Sequence, residues 1–263
     1  MSWPYSFWNI TYRLIKMNIT KIIKRIVELS HKTKEGHLGS SLSLLNILYV
    51  LYERFIVSEA DDRNRFILSK GHASLGLYAI LENFNLLNNL DTFCKFDSKI
   101  GGHPSISLNS VEASTGSLGH GLPIAIGMAL AYKINNYKCH IFVVIGDGEM
   151  NEGSIWEALL LAAHHKLNNI TCILDYNRSN DRALKLDNII NKINAFNWNC
   201  IEINGHNHQE IIDSLSVKHE EKPTFIVANT VKGKGISFME NNPEWHHKSP
   251  NEEEYRKILQ ELE

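Results

Sequence analysis

Hydrophobic positions recur with helical spacing in the first half of the chain. Along residues 11–30, apolar side chains such as Leu14, Ile15, Ile19 and Ile22 are separated by Lys and Arg, which is the pattern of an amphipathic helix. The same half contains these further predicted elements: helices over residues 41–55, 73–84 and 121–133, a short strand over residues 65–69, and a loop over residues 88–118.

The second half alternates between continuous apolar runs and amphipathic segments. It contains these predicted elements: strands over residues 139–145, 170–175, 199–203 and 224–229, and helices over residues 154–166, 187–196 and 208–215. Uninterrupted β-branched runs separated by helices indicate an α/β fold, in which a parallel sheet is covered by helices on both faces. We therefore predict one domain over residues 1–263, with an N-terminal helical extension and a charged C-terminal helix. Ligands of such sheets bind at the carboxyl ends of the strands.

Composition and charge exclude several classes of protein. The chain has 27 Lys and Arg residues against 29 Asp and Glu residues, so a nucleic-acid-binding function is not expected. No apolar stretch approaches the roughly 18 residues that a membrane span needs. The four cysteines form no CxxC pair, and we expect them to be reduced thiols of a cytoplasmic protein.

A glycine-rich turn follows the predicted strand over residues 139–145. Its first residues are Gly146, Asp147 and Gly148, and Asn177 follows the next strand thirty positions after Asp147. Alone, this turn is more simply a strand-to-helix connection with a capping Asp. Neighbouring parallel strands, however, would place Asp147 and Asn177 at the same edge of the sheet. Carboxylate and amide oxygens suit Mg²⁺, which is usually held by a few protein groups and phosphate oxygens.

Residues 146–177 resemble the thiamine diphosphate signature, which begins with GDG and ends in Asn. Other segments are similar to the transketolase family in chain order: GHLGSSLS at 36–43, LSKGHASLGLYAIL at 68–81, GGHPS at 101–105, STGSLGHGLPIAIGMALA at 114–131 and TVKGKGISFMENNPEWHH at 230–247. The resemblance covers residues 20–250 and implies the thiamine diphosphate-binding fold of that family. It also implies thiamine diphosphate and Mg²⁺ as cofactors.

The resemblance implies a role for each matching residue. The implied Mg²⁺ ligands are Asp147, Asn177 and the carbonyl of Ser179. The implied cofactor-binding residues are Lys70, His72, Gly116, Ser117, Leu118, Gly146, Gly148, Glu152, Asn177 and Lys232, where Glu152 resembles a carboxylate near the subunit interface. The implied catalytic residues, which line the substrate channel, are His37, His103 and His246.

Most histidines of a chain are ordinary surface or core residues, and position within a matching motif is what distinguishes the four assigned here. Five others receive no function: His164, His165, His206, His208 and His219. Two departures from the family leave alternatives open. His247 follows His246 where the family often has Gly, so either ring could line the channel, and the segment over residues 178–187 differs from the usual loop.

The resemblance implies an enzyme that is incomplete as one chain. Full-length transketolases also carry a pyrimidine-binding domain, whose glutamate activates the cofactor, whereas this sequence resembles only the diphosphate-binding part. The expected partner is a C-terminal transketolase subunit, in an α2β2 assembly that transfers a two-carbon ketol unit between sugar phosphates. Two alternatives stay open: a thiamine diphosphate enzyme of the deoxyxylulose-phosphate synthase or dehydrogenase type, and a non-catalytic cofactor-binding subunit.

Overall fold

A parallel sheet forms the centre of the molecule. The computed structural model of the chain describes residues 5–56 and 63–263, with side chains from residue 18 onward. The strands in chain order are β1 Arg65–Leu68, β2 Ile141–Gly146, β3 Ile170–Tyr176, β4 Asn199–Asn204 and β5 Thr224–Asn229. They are all parallel and lie side by side in the order β1-β2-β3-β5-β4. The predicted α/β fold class is confirmed.

Helices connect the strands and flank the sheet. In chain order they are α1 Tyr5–Thr33, α2 Leu38–Ser43, α3 Leu45–Arg54, α4 Ser74–Asn83, α5 Gly121–Ile134, α6 Gly153–His164, α7 Ile189–Ala195, α8 His208–Ser216 and α9 Glu252–Glu261. Helix α1 extends beyond the predicted bounds in both directions, and the side chains of Leu14 and Ile15 lie outside the described residues.

Alternate residues of the strands pack into two different cores. In β2, Phe142 and Val144 join the core formed with α1 to α4, α8 and α9, whereas Val143 and Ile145 join the core formed with α5, α6 and α7. All six residues of β2 are buried, because helices cover both faces of the sheet. This explains why the strands read as continuous apolar runs instead of alternating ones.

The predicted helix over residues 41–55 is two helices. Leu44 lies between α2 and α3 with φ −101° and ψ 2°, which interrupts the helical hydrogen bonding. The Ser43 hydroxyl, just before the break, contacts the Ser40 carbonyl oxygen at 3.0 Å and the Asp175 carboxylate at 2.6 Å. The break therefore brings the serines of α2 to the carboxyl edge of the sheet, which apolar periodicity alone does not reveal.

Two further expectations concern the environment of the chain. The four cysteines are free thiols, and burial raises the pKa of Cys172 well above its ordinary value. Among the described residues, no helix combines the length and the hydropathy that crossing a bilayer requires.

Candidate cofactor and active site

Four histidines from distant parts of the sequence lie around one cleft beside the sheet. His37 precedes α2, His72 lies in the turn after β1, and His246 follows a short turn near α9. The ring centroids are 5.0 Å apart for His37 and His72, and 5.8 Å apart for His37 and His246. His103 lines the same cavity of about 300 Å³ as His37, His72 and His247.

His247 also belongs to this cluster. Its ring centroid lies 4.4 Å from that of His37, closer than the ring of His246. His246 instead lines a larger cavity of about 670 Å³, together with Asn177 and Lys232. Both rings of the pair therefore face the site, His247 toward the smaller cavity and His246 toward the larger one.

Two histidines of the cluster are held neutral by their surroundings. Burial lowers the pKa of His37 to about 4, with His247 adding to the effect, and burial and Lys70 lower the pKa of His72 to about 2. The His72 Nε2 atom lies 3.0 Å from the Ser40 hydroxyl oxygen, which fixes the ring in the cleft. A neutral imidazole can both donate and accept a hydrogen bond, which suits contacts to sugar hydroxyls.

Two buried lysines lie at the cleft, and one of them, Lys232, has no carboxylate partner among the described residues. Lys232 is 5% exposed, and its Nζ atom donates a hydrogen bond of 2.6 Å to His246 Nδ1. Burial, followed by the charge of Lys70, lowers the pKa of Lys232 to about 8, so its ammonium group is still charged at pH 7. An unpaired buried cation of this kind favours an anionic ligand.

Lys70, in contrast, is paired. Its Nζ atom lies 2.5 Å from Oδ2 of Asp175, a fully buried residue at the end of β3. Asp175 also accepts hydrogen bonds from the hydroxyls of Ser43 and Thr230. This network holds the Lys70 side chain beneath Gly146, because a Cβ atom on that glycine would lie 3.3 Å from Lys70 Cγ.

Asp147 and Asn177 lie at the same edge of the sheet. The ladder between β2 and β3 pairs Gly146 with Asp175, and the two candidate ligands follow this pair closely. Both side chains are buried, and burial raises the pKa of Asp147. The Asp147 oxygens accept hydrogen bonds from the amides of Gly148 at 2.9 Å and Asn180 at 3.1 Å.

A short 3-10 turn, Ser179–Arg182, joins the candidate metal ligands. Asn177 Oδ1 accepts hydrogen bonds from the Ser179 amide at 3.1 Å and the Ser179 hydroxyl at 2.5 Å. The next amide in the turn, that of Asn180, bonds to Asp147. The turn thus gathers one carboxylate, one amide oxygen and the backbone of Ser179, a set of oxygen donors that fits Mg²⁺.

The segment Gly116–Leu118, called the arch below, lies beside the histidines. Gly116 has a φ of 142°, and a Cβ atom there would lie 2.7 Å from His103 Cδ2. Ser117 and Leu118 are exposed at the top of the arch. Glu152 lies beyond the arch at the start of α6, where its side chain packs against Gly119. Its role near a subunit interface stays a prediction.

Sequence reasoning missed several polar residues that build the site. They are Ser40, Ser43, Ser69, Glu149, Asp175 and Thr230. Ser40 and Ser43 belong to the GHLGSSLS segment, and Asp175 precedes Tyr176 and Asn177, so the motifs contained them without indicating their contacts. Many of those contacts join residues that are distant in sequence, such as Asp175 and Thr230, which are 55 positions apart, and so depend on the folded structure.

Comparison with known proteins gives one consistent family. Residues 16–262 match the family model described as transketolase, thiamine diphosphate binding domain. The chain is 36% identical over 262 residues to a protein of Phocaeicola vulgatus that is named as a subunit of apulose-4-phosphate transketolase. The alignment covers 94% of this chain and 93% of that relative. The protein of the same name from Actinobacillus succinogenes is 38% identical over 270 residues, with coverage of 97% and 98%.

A solved structure agrees with the fold. The transketolase from Campylobacter jejuni superposes with a TM-score of 0.82 at 30% identity, and the match covers 95% of this chain but 43% of that chain. The chain therefore spans nearly the whole length of the two apulose-4-phosphate transketolase relatives, and less than half the length of the solved transketolase.

Proposed function

This chain belongs to the transketolase family, and from that premise we propose that it is the thiamine diphosphate-binding subunit of a two-subunit transketolase. The observation that carries the proposal is the convergence of four histidines, an unpaired buried lysine and the Asp147–Asn177 pair at one edge of the sheet. When bound, thiamine diphosphate supplies the carbon nucleophile and electron sink for breaking and making a carbon–carbon bond next to a carbonyl.

The residues of the chain divide between holding the cofactor and handling the sugar. Lys232 supplies the positive charge that favours the diphosphate, and Lys70 and His72 can donate hydrogen bonds to it. Asp147, Asn177 and the Ser179 carbonyl would hold Mg²⁺, which would neutralise the remaining phosphate charge. His37, His103 and His246, with His247 beside them, hold the sugar hydroxyls and transfer protons. Imidazole suits this task because a neutral ring can take up or release a proton.

The partner subunit supplies what this chain lacks. Ser117 and Leu118 are exposed beside the site, so the cofactor rings have no wall on that side in the isolated chain. Cofactor sites usually bury most of their ligand, often between domains. The partner carries the pyrimidine-binding domain with its activating glutamate, and two copies of each chain form an α2β2 assembly with two-fold symmetry.

The reaction is transfer of a two-carbon ketol unit from a ketose phosphate to an aldose phosphate. The two relatives described above carry apulose 4-phosphate in their names. That sugar phosphate is therefore the first donor to assay, beside common ketose phosphates.

The Asp147→Ala variant tests the cofactor site. Without this carboxylate the Mg²⁺ loses a charged ligand, and we expect the affinity for thiamine diphosphate to fall by at least about 100-fold. Calorimetric titration in the presence of Mg²⁺ and the partner measures this. The control is Asp213→Ala, which removes an exposed carboxylate of α8 and should leave the affinity unchanged. Wild-type affinity in the Asp147→Ala variant would refute the proposed site.

A further inference from the structure

Glu149 is a buried carboxylate to which the proposed function gives no role. It lies in the 3-10 turn Gly148–Asn151 and is 1% exposed. Its Oε1 atom accepts hydrogen bonds from the Ser69 hydroxyl at 2.6 Å and the Gly119 amide at 3.1 Å, and its Oε2 atom accepts one from the Gly146 amide at 3.0 Å. One side chain thus ties together the end of β1, the end of β2 and the segment before α5.

Gly119 directly follows the Gly116–Leu118 arch and is held from both sides. Glu149 accepts its amide hydrogen, and the Ser154 hydroxyl donates a hydrogen bond of 2.8 Å to its carbonyl oxygen. Its φ of 79° lies in the left-handed region, and a Cβ atom would come within 2.4 Å of Ser154 Oγ. These contacts restrain both the position and the left-handed conformation of Gly119.

The other end of the arch is also anchored. The Thr115 hydroxyl donates a hydrogen bond of 2.6 Å to the Leu68 carbonyl oxygen at the end of β1. Gly71 packs so closely that a Cβ atom on it would lie 2.8 Å from the Gly116 nitrogen. The arch, with Ser117 and Leu118 exposed, is therefore held at both ends. The anchor at Gly119 depends on the Glu149 carboxylate.

Building on the proposed function, we propose that Glu149 is a positioning residue for thiamine diphosphate. By accepting the Gly119 amide hydrogen, it fixes the Gly116–Leu118 arch in the conformation that receives the cofactor rings. An arch that is already ordered does not lose further conformational freedom when the cofactor binds, so the affinity is higher. Glu149 acts through the arch and does not itself touch the cofactor.

The Glu149→Gln variant weakens this anchor while keeping the shape of the side chain. An amide has one acceptor oxygen where the carboxylate has two, so its NH₂ group must face the amide of Gly146 or that of Gly119. If the NH₂ group faces Gly119, the anchor is lost. If it faces Gly146, the neutral oxygen left for Gly119 is a weaker acceptor than the carboxylate, and the anchor loosens. Ser154→Ala releases the opposite side of Gly119 and provides a second, independent variant. Glu253→Gln, on the exposed side of α9, is the matched control.

Hydrogen–deuterium exchange of the purified full chain measures the anchor without any cofactor. We expect peptides covering residues 115–119 to exchange about tenfold faster in Glu149→Gln and in Ser154→Ala, because amide exchange reports local opening. The β3 peptides should keep their protection, and Glu253→Gln should match the wild type throughout. Wild-type exchange of residues 115–119 in Glu149→Gln would overturn the proposal, whatever Ser154→Ala shows.

Cofactor affinity provides the second readout. With Mg²⁺ and the partner present, the Kd for thiamine diphosphate should rise about tenfold in Glu149→Gln, while kcat at saturating cofactor stays within about threefold of the wild type. A loosened arch with unchanged Kd would overturn the positioning role. If the wild-type protein does not bind thiamine diphosphate, the proposed function and the ligand named here are refuted. Hydrogen–deuterium exchange would still decide whether Glu149 holds the arch.

Discussion

Lys232 and Lys70 show how burial and pairing give two lysines of one site different properties. Lys70 is neutralised by Asp175, whereas the ammonium group of Lys232, among the described side chains, bonds to an imidazole nitrogen and to no carboxylate. Burial, followed by the charge of Lys70, lowers the pKa of Lys232 to about 8, so an anion beside this ammonium group would be stabilising. A diphosphate is such an anion.

The charge state of Lys232 gives cofactor binding a pH dependence. Its ammonium group is charged below pH 8 and loses its proton as the pH rises through that value, so the affinity for thiamine diphosphate should fall above pH 8. Calorimetric titrations between about pH 7 and about pH 9.5 measure this. In Lys232→Arg the charge persists, and the loss of affinity at high pH should be at least about tenfold smaller.

The control for this prediction is Lys234→Arg, which changes a half-buried lysine paired with Glu240. Its pH profile should match that of the wild type. A Lys232→Arg profile that also matches the wild type would show that another group causes the alkaline loss.

At the scale of elements, the strands were easier to predict than the helices beside the site. Strand β5 has the predicted bounds, because a buried parallel strand is an uninterrupted apolar run. Helices α2 and α3 were predicted as one, because every residue of α2 is buried and its serines bond to distant groups. The motif residues of the site could be named from the sequence, whereas the network of Asp175 and Glu149 could not, since it joins segments that meet only in the fold.

The backbone of the turn after β1 lies close to the backbone of the arch. The Gly71→Ala variant tests the importance of this close approach. An added Cβ atom would lie 2.8–2.9 Å from the backbone of Gly116 and Thr115, so the arch must move. We expect a loss of about 1–3 kcal/mol in the free energy of unfolding and weaker cofactor binding. Urea denaturation and calorimetry measure the two effects.

Gly101→Ala is the matched control, because a Cβ atom at that position meets nothing within 4 Å. It should change the free energy of unfolding by no more than about 0.5 kcal/mol. Equal effects of the two substitutions would mean that the close approach of Gly71 to the arch is unimportant.

At the scale of the whole molecule, both hydrophobic cores share one sheet. Strands β2, β3 and β5 contribute side chains to each core, which couples the helices on the two faces. This arrangement supports the assignment of residues 1–263 to one domain, which stays a prediction. Several histidines are partly buried around the sheet.

These histidines should make the fold sensitive to mild acid. Burial lowers the pKa of His37, His140 and His206 to about 4 and that of His72 to about 2, against an ordinary value of 6.5. The unfolded chain therefore binds more protons than the folded one as the pH falls from 6.5 to about 4, and the free energy of unfolding decreases through this range. Each histidine contributes at most about 1.4 kcal/mol per pH unit.

Urea denaturation at about pH 7, 6 and 5 measures this slope. His140→Gln removes one buried ring, which bonds to Thr171, and should make the slope smaller. His219→Gln, at an exposed position, should leave the slope unchanged. A free energy of unfolding that stays constant over this range would contradict the prediction.

Reconstituted ketol transfer tests the central claim most directly. The purified chain is mixed with a purified pyrimidine-domain subunit, thiamine diphosphate and Mg²⁺, and transfer from a ketose phosphate to an aldose phosphate is followed as the ratio of the two chains is varied. We predict no turnover by either chain alone, maximal turnover at equal amounts of the two chains, and none when Asp147→Ala replaces the wild type. Sustained turnover by this chain alone would contradict the account, because the activating acid would then lie within these 263 residues.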